Sequence, residues 1–349
     1  MNDKHFTWLA LSVFAVLTAA VVSFNYWIDP LWHYSQSHAF NDVQVVADER
    51  EQKTANQRFQ PKDADTLLIG SSRSTYINST AFSNWDVYNY SVANLSMREY
   101  HTMLMYAFEH NPDYRRVILG LDFFKINTAE ASAPKNILSY DTKVQQSFYR
   151  TKNLLSLDVL DYSLQNFRLS ATDSIQGDRL YNREGDATAE RLKGRDAAYE
   201  LAMKIHRFEK IFYAEGFEYF PQYKEIMAKV RDTEPQAEKI VYTTPISTEL
   251  FTSLVGNDLL DEYEVWIRDM VDVYGGVWNF MYPNEITNDL SNYYDGHHFY
   301  PFVGDLIGQR IEFGQDAANV PADFGVLVTP ENVDAHLAEV REMAEELKE

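Results

Sequence analysis

The chain has 349 residues, 45% of them hydrophobic, which is ordinary for a globular protein and enough for one elaborated α/β domain. It contains no cysteine, which excludes disulfide frameworks, thiolate metal sites and cysteine nucleophiles. A net charge of −21 repels nucleic acid and anionic headgroups, so nucleic-acid binding is excluded and the acidity reads as a solubility device.

The first predicted element is a membrane anchor. Phe6 to Phe24 carries no charge and spans about 28 Å as a helix, close to the hydrocarbon thickness of a bilayer. Trp8 lies near one end, and Tyr26, Trp27 and Trp32 near the other, an aromatic-belt pattern. Thr18-Ala19-Ala20 is a poor cleavage site, and the run lacks the polar face of a surface helix. An uncleaved anchor over residues 6–27 is therefore expected. Lys4 before the run and Asp29 after it favour the N-terminus inside and the bulk of the chain outside. The expected location is a bacterial cytoplasmic (inner) membrane, with the folded part in the periplasm or equivalent extracytoplasmic space. Residues 28–62, rich in Gln, Asn, Asp and Lys, read as a linker.

Strand candidates follow at Asp65 to Gly70, Val87 to Val92, Arg116 to Phe124, Lys239 to Thr244 and Val277 to Tyr282. Helix candidates alternate with them. Ser96 to His110 starts with a capping-box pattern at Ser96 and Glu99. Thr248 to Tyr274 breaks near Gly256-Asn257-Asp258, and Pro301 to Phe313 opens on proline. This alternation predicts a parallel sheet with helices on both faces. Residues 125–238 are too long for one crossover and read as a helical insertion, with helical patterns over Leu154 to Leu169 and Ala189 to Val230. The insertion is placed to cover the sheet edge or the site, and the aromatics of Phe208 to Tyr223 read as its packing surface against the sheet, with a ligand groove as the alternative. Residues 316–349 read as a C-terminal extension ending in an acidic helix with one apolar stripe.

Two short motifs, far apart in the chain, carry chemistry. Gly70-Ser71-Ser72-Arg73 ends the first strand candidate, where an open α/β sheet exposes functional groups. Asp295-Gly296-His297-His298 precedes the last helix of the sheet, and its spacing lets Asp295 reach the His298 imidazole. Taken alone, each motif is also a common turn or cap. Together, at two strand-to-helix junctions of one sheet, they supply a hydroxyl, a base and an orienter for the base. Ser71 is the rival nucleophile, and Arg73 is open to a substrate anion, a helix or the sheet end. His297 faces either solvent or substrate. Asp295, His297 and His298 also offer metal ligands, but no second His/Asp cluster joins them, so neither metal nor other cofactor is expected.

These residues resemble the SGNH/GDSL hydrolase superfamily, in its membrane-anchored extracytoplasmic branch with alginate O-acetylation proteins and the D-alanyl transfer protein of teichoic acid modification. The resemblance covers residues 64–124 and 239–313, with Thr244-Pro245 also fitting the pattern, and leaves the insertion outside. It implies Ser72 as nucleophile, His298 as base and Asp295 as orienter. Asn94 stands near the family's second-block glycine and Asp122 near its third-block asparagine, so these two, with Arg73 and His297, are the candidate oxyanion and substrate contacts. An ionised Asp122 would repel an oxyanion.

The expected architecture is an α/β protein, a three-layer α/β/α flavodoxin-like parallel sheet over residues 63–124 and 239–315, with the helical insertion and one N-terminal transmembrane helix. The expected activity is a serine esterase or O-acyltransferase on acetyl or other acyl esters of a cell-envelope or exported polysaccharide. A multi-pass membrane acyltransferase is the expected protein partner. A catalytically degenerate tethered scaffold, binding glycan or that acyltransferase, is the alternative.

Overall fold

The computed structural model describes residues 3–131, 137–177, 179–191, 197–214 and 216–348. The chain divides into two units, Met1–Pro61 with Leu138–Glu184, and Lys62–Ile137 with Gly185–Glu349.

The first unit carries the apolar helix Asp3–Ile28. It is long and apolar enough to cross a membrane, with a mean hydropathy of 2.1 over its most apolar stretch and Phe6, Trp8, Phe14 and Leu17 exposed. In its last turn Asn25 and Ile28 are buried, while Tyr26 and Trp27 stay exposed. The Asn25 side-chain amide donates to the carbonyls of Leu154 and Ser156 at 3.0 and 3.2 Å, and its oxygen accepts from Ser163 Oγ at 2.9 Å. The end of the apolar helix thus docks on helices Tyr149–Leu154 and Leu157–Thr172.

Residues 28–62 are not a plain linker. They contain helix Glu49–Phe59, capped by Asp48 and buried from Glu49 to Gln57. Burial of so polar a helix is tolerable because its charges are matched. Glu51 accepts from the Tyr149 hydroxyl at 2.7 Å and pairs with Lys143, while Glu49 pairs with Arg179 at 3.1 Å and accepts from the Tyr181 hydroxyl. Composition alone does not separate a paired charge from a solvated one, which is why this segment reads as linker. The expected insertion 125–238 is also divided, its Leu138–Glu184 portion belonging to the first unit and the rest to the second. Within it, residues 132–136, 178, 192–196 and 215 lie outside the described residues.

The second unit is a mixed α/β structure around a six-stranded sheet. Its strands are β1 (Thr66–Ile69), β2 (Val87–Asn89), β3 (Arg116–Leu121), β4 (Glu238–Thr243), β5 (Val277–Asn279) and β6 (Val326–Val328), in spatial order β2-β1-β3-β4-β5-β6. The first five are parallel, each shorter than or close to its sequence expectation, and β6 runs antiparallel to β5. Strand β6 is a correction. It lies in residues 316–349, which were expected as an extension, and three residues are too few to carry a periodic signal. The centre of the sheet is dry, with Leu67, Leu68, Ile69, Val117, Ile118 and Leu119 fully buried. Each such side chain contributes roughly 1.5–3 kcal/mol.

Helices Glu99–His110, Tyr223–Asp232, Leu260–Tyr274 and Val333–Glu346 pack side by side in that sequence. The Ser96 N–H donates to the Glu99 carboxylate at 2.8 Å, one half of the expected capping box. Helix Pro301–Phe313 packs instead on the 3-10 turns Ser74–Tyr76 and Ser79–Ala81, just beyond β1. Strand order reverses around β1, since β2 lies on one side of it and β3 on the other. In open α/β sheets the carboxyl edge at such a reversal is where ligand sites form.

Candidate active site

The turn after β1 is pressed close to the sheet. A Cβ at Gly70 would lie 2.0 Å from Ser74 Oγ, and one at Gly120 would lie 2.2 Å from the same atom. Only glycine at both positions lets the Ser74–Tyr76 turn settle over the ends of β1 and β3. Tyr242 then donates to Ser74 Oγ at 2.6 Å, and Asn89 donates to the carbonyls of Ser74 and Ile77 at 2.7 and 2.9 Å. The turn is fixed from three strands. Ser71 is buried, whereas Ser72 is half-buried.

The loop after β5 is closed by an antiparallel bridge between Tyr293 and Phe299 and by the Tyr294 N–H donating to the His298 carbonyl at 2.8 Å. Gly296 supplies the positive φ of 86° that the tight reversal requires. Asp295 Oδ1 accepts from the backbone N–H groups of His298 and His297 at 2.7 and 3.2 Å. Its other oxygen accepts from His298 Nδ1 at 2.8 Å. With that proton donated to Asp295, His298 Nε2 is left as an acceptor, and the Ser72 hydroxyl lies 2.7 Å from it.

Ser72, His298 and Asp295 thus form one hydrogen-bonded chain, and Ser71 is no part of it. Burial pushes the Asp295 carboxyl up, but the imidazoles of His298 and His297 and the His298 hydrogen bonds outweigh it and hold it well below the usual carboxylate range. A serine hydroxyl bonded to an imidazole that is itself held by a carboxylate has the geometry for proton abstraction during nucleophilic attack.

The other candidate residues fall out differently. Arg73 and Asp122 are both buried and form a 3.0 Å ion pair with each other. Thr244 joins them, accepting from Arg73 Nη1 at 2.9 Å and donating to Asp122 Oδ1 at 2.6 Å. Neither is the open substrate contact expected from the sequence. Each had an unmet charge to satisfy away from water, and they meet across the ends of β1, β3 and β4. Asp122 therefore presents a neutralised pair, which answers the expected repulsion of an oxyanion.

Asn94 is exposed, in the loop after β2, and its side-chain oxygen accepts from Lys125 Nζ. Its φ of 53° is a left-handed conformation that glycine and asparagine adopt most readily. His297 is half-buried between Phe208 and His298, with ring centroids 4.3 and 4.1 Å away. Burial, then the neighbouring His298, depresses its pKa well below the ordinary imidazole value. Its Nδ1 lies 3.2 Å from Asp295 Oδ1 without making a hydrogen bond among the described residues.

Asp295, His297 and His298 place ligand atoms within 4.8 Å of one another. The Asp295–His298 hydrogen bond already uses one carboxylate oxygen and one ring nitrogen of this group. Helix Ala197–Phe212, part of the expected insertion, packs against this loop, although none of its residues was singled out for the site. Ile205 would lie 2.5 Å from a Cβ at Gly296, Phe208 contacts the His297 ring at a tilt of 39°, and Lys204 Nζ sits 3.7 Å from the Tyr294 ring centroid. The clue was its spacing of Lys204, Phe208, Ile211 and Phe212 on one face. The aromatic packing expected around Phe208 is present, with Phe124 and Phe212 at 5.4 and 4.5 Å.

No protein-family model matches the chain, and no curated protein matches it either.

Proposed function

We propose that this chain is a membrane-anchored, extracytoplasmic serine esterase or O-acyltransferase of the SGNH/GDSL type, with a three-layer flavodoxin-like core. Its proposed substrates are acyl esters, acetyl foremost, of a cell-envelope or exported polysaccharide. One observation carries the reading, the continuous chain from Ser72 Oγ through His298 to Asp295. The strand order β2-β1-β3-β4-β5 and the position of Ser72 directly beyond β1 support it. The apolar helix with Lys4 at its start supports the tether and its orientation.

In the proposed reaction, Ser72 Oγ attacks the acyl carbonyl carbon while His298 Nε2 takes its proton. Asp295 holds the ring and stabilises the imidazolium. The backbone N–H of Ser72, with Asn94, donates to the tetrahedral oxyanion. Collapse breaks the bond to the leaving alkoxide, which receives the proton from His298, and leaves acyl-Ser72. Water or a sugar hydroxyl then attacks, giving its proton to His298, which returns it to Ser72 Oγ as the acyl–Oγ bond breaks and the acyl group departs as acid or as a new ester. Incubation with a fluorophosphonate probe tests this reading. The expected result is a covalent adduct on Ser72 that is absent from Ser72→Ala; an unlabelled protein under conditions that label a control esterase overturns it.

A second reading, a tethered scaffold with a degenerate site, is favoured by Asn94 in place of the second-block glycine and by its engagement with Lys125. Ser72→Ala separates the two. Glycan acylation in cells that survives this change but is lost when the apolar helix is exchanged supports the scaffold.

A further inference from the structure

Thr18, Val21 and Val22 are half-buried, whereas every described residue before Thr18 is exposed. Their spacing places them on the side of the apolar helix that carries Asn25. The first unit therefore reaches down that side by about 10 Å below Asn25. A bilayer needs about 20 apolar residues, and Phe6 to Phe24 supplies barely that many. None can be spared, so in a membrane-spanning helix the stretch from Thr18 to Phe24 lies in hydrocarbon. Whatever flanks it lies at the same depth.

Helices Tyr149–Leu154 and Leu157–Thr172 are what pack on the apolar helix. The Tyr149 ring lies 5.1 Å from that of His33, beyond the end of the apolar helix, while the Leu154 carbonyl accepts from Asn25 at 3.0 Å. The chain descends between these two levels and turns at Leu155-Ser156. It then leaves toward Val43, whose N–H donates to Ser170 Oγ at 2.9 Å. The corner of this hairpin thus faces the bilayer.

The side chains of that corner are apolar on the outside. Leu155 and Leu157 are 50% and 71% exposed, and Leu164 continues them two turns further on. Scattered exposed leucines are ordinary on a surface that meets water. These three differ in their level, beside the exposed Tyr26 and Trp27, which are of the kind that settles at a membrane interface. Lys152, Asp158 and Asp161 are exposed and border the patch. They set a limit to immersion, because a charged group deep in hydrocarbon is costly.

Resting on the reading of helix Asp3–Ile28 as membrane-spanning, we propose that the corner Leu155–Leu157, with Leu164, is a second membrane contact. It sits as a wedge about 5–10 Å into the headgroup and acyl boundary of the leaflet from which the helix emerges. Lipid takes the place of water around the three leucines. The first unit is then held at two places, at Asn25 and at the wedge, and rests against the bilayer rather than standing off it.

The chain has no cysteine, so single introduced cysteines can be labelled cleanly. Full chains carrying Phe14→Cys, Leu155→Cys, Leu157→Cys or Gln145→Cys are labelled with bimane and reconstituted alone in phosphatidylcholine vesicles containing nitroxide lipids. Gln145 is exposed and precedes Tyr149, away from the corner. The label at Phe14 is expected to be quenched most by a nitroxide near the chain end. Labels at Leu155 and Leu157 are expected to be quenched most by a nitroxide near the headgroup, and several-fold more than the label at Gln145. Melting curves check each variant, and Leu164→Cys replaces a leucine variant that does not fold. Quenching at Phe14 with labels at Leu155 and Leu157 no more quenched than at Gln145 overturns the wedge and leaves the anchor standing. A blue-shifted but unquenched label at Leu157 also overturns it, because a second copy then covers the leucines. An unquenched label at Phe14 overturns the anchor and the wedge together.

Discussion

Arg73 and Asp122 meet as an ion pair 3.0 Å long, both side chains almost wholly out of water, at the residue directly following Ser72. The pair also shares Thr244, so three strand ends are joined by one polar knot beneath the nucleophile turn. Breaking such a pair from one side leaves an uncompensated buried charge. Asp122→Leu is expected to destabilise the second unit by about 3–5 kcal/mol, and Arg73→Met with Asp122→Leu by much less. Chemical denaturation of the two variants measures the difference; equal losses would mean that the pairing is not what holds the turn.

The Ser72–His298–Asp295 chain predicts a graded loss of activity. Ser72→Ala and His298→Ala are each expected to lower ester turnover by about 10³-fold or more, with melting temperatures near that of the parent protein. Asp295→Asn is expected to cost turnover too, but its amide also loses the charge that the two N–H groups of the loop were bound to. Combining Ser72→Ala with His298→Ala should add little to either alone. Acetate release from an acetylated oligosaccharide is the measurement, and additive losses would argue against a shared step.

Gly304 gives a test of sign. It lies inside helix Pro301–Phe313, where alanine would ordinarily stabilise by about 1 kcal/mol. A Cβ there would lie 2.1 Å from the Tyr76 carbonyl oxygen, which belongs to the turn carrying Ser72 onward. Gly304→Ala is therefore expected to destabilise by about 1–3 kcal/mol and to slow fluorophosphonate labelling of Ser72 by moving its turn. A more stable variant would show that helix propensity outweighs the clash.

Acid sensitivity follows from His336. Burial lowers its pKa to about 4, and its Nε2 accepts from the Asn279 side chain at 2.8 Å, a bond only the neutral ring can receive. The folded ring thus binds its proton less readily than the unfolded one, whose pKa is the ordinary 6.5. Its stabilisation is complete above about pH 6.5 and is lost as pH falls from there toward about 4. The full loss is on the order of 3 kcal/mol. Denaturation midpoints across that window are expected to fall in the parent and to flatten in His336→Gln; parallel slopes would exclude His336 as the sensor.

Much of the second unit was legible in the sequence. Strands β1, β3 and β4 announce themselves through apolar runs ending at Gly70, Asp122 and Thr244, because a strand covered on both faces has no polar side to dilute the signal. The approach of Ser72 to His298 was inferable because both lie beyond the same edge of a parallel sheet. The Arg73–Asp122 pairing was not. Which buried charges meet depends on register between distant strands, and neither residue carries that in its own neighbourhood. The first unit was illegible for a related reason. Helix Glu49–Phe59 is mostly polar, and partners such as Tyr149, Lys143, Arg179 and Tyr181, more than ninety positions downstream, help turn it inward. Helix Ala197–Phe212 was recognised as helical, but its place beside the site rests on the shape of the loop that it covers.

Asn25 sits one turn from the end of the apolar helix, clamped to Leu154, Ser156 and Ser163. That clamp makes the shaft and the small unit above it a single lever with a set azimuth. Inserting one residue in the shaft would leave the clamp in place and turn every residue below it by about 100° around the axis relative to the docked end. Chain length below this point is therefore not free to drift, however uniform its greasy composition.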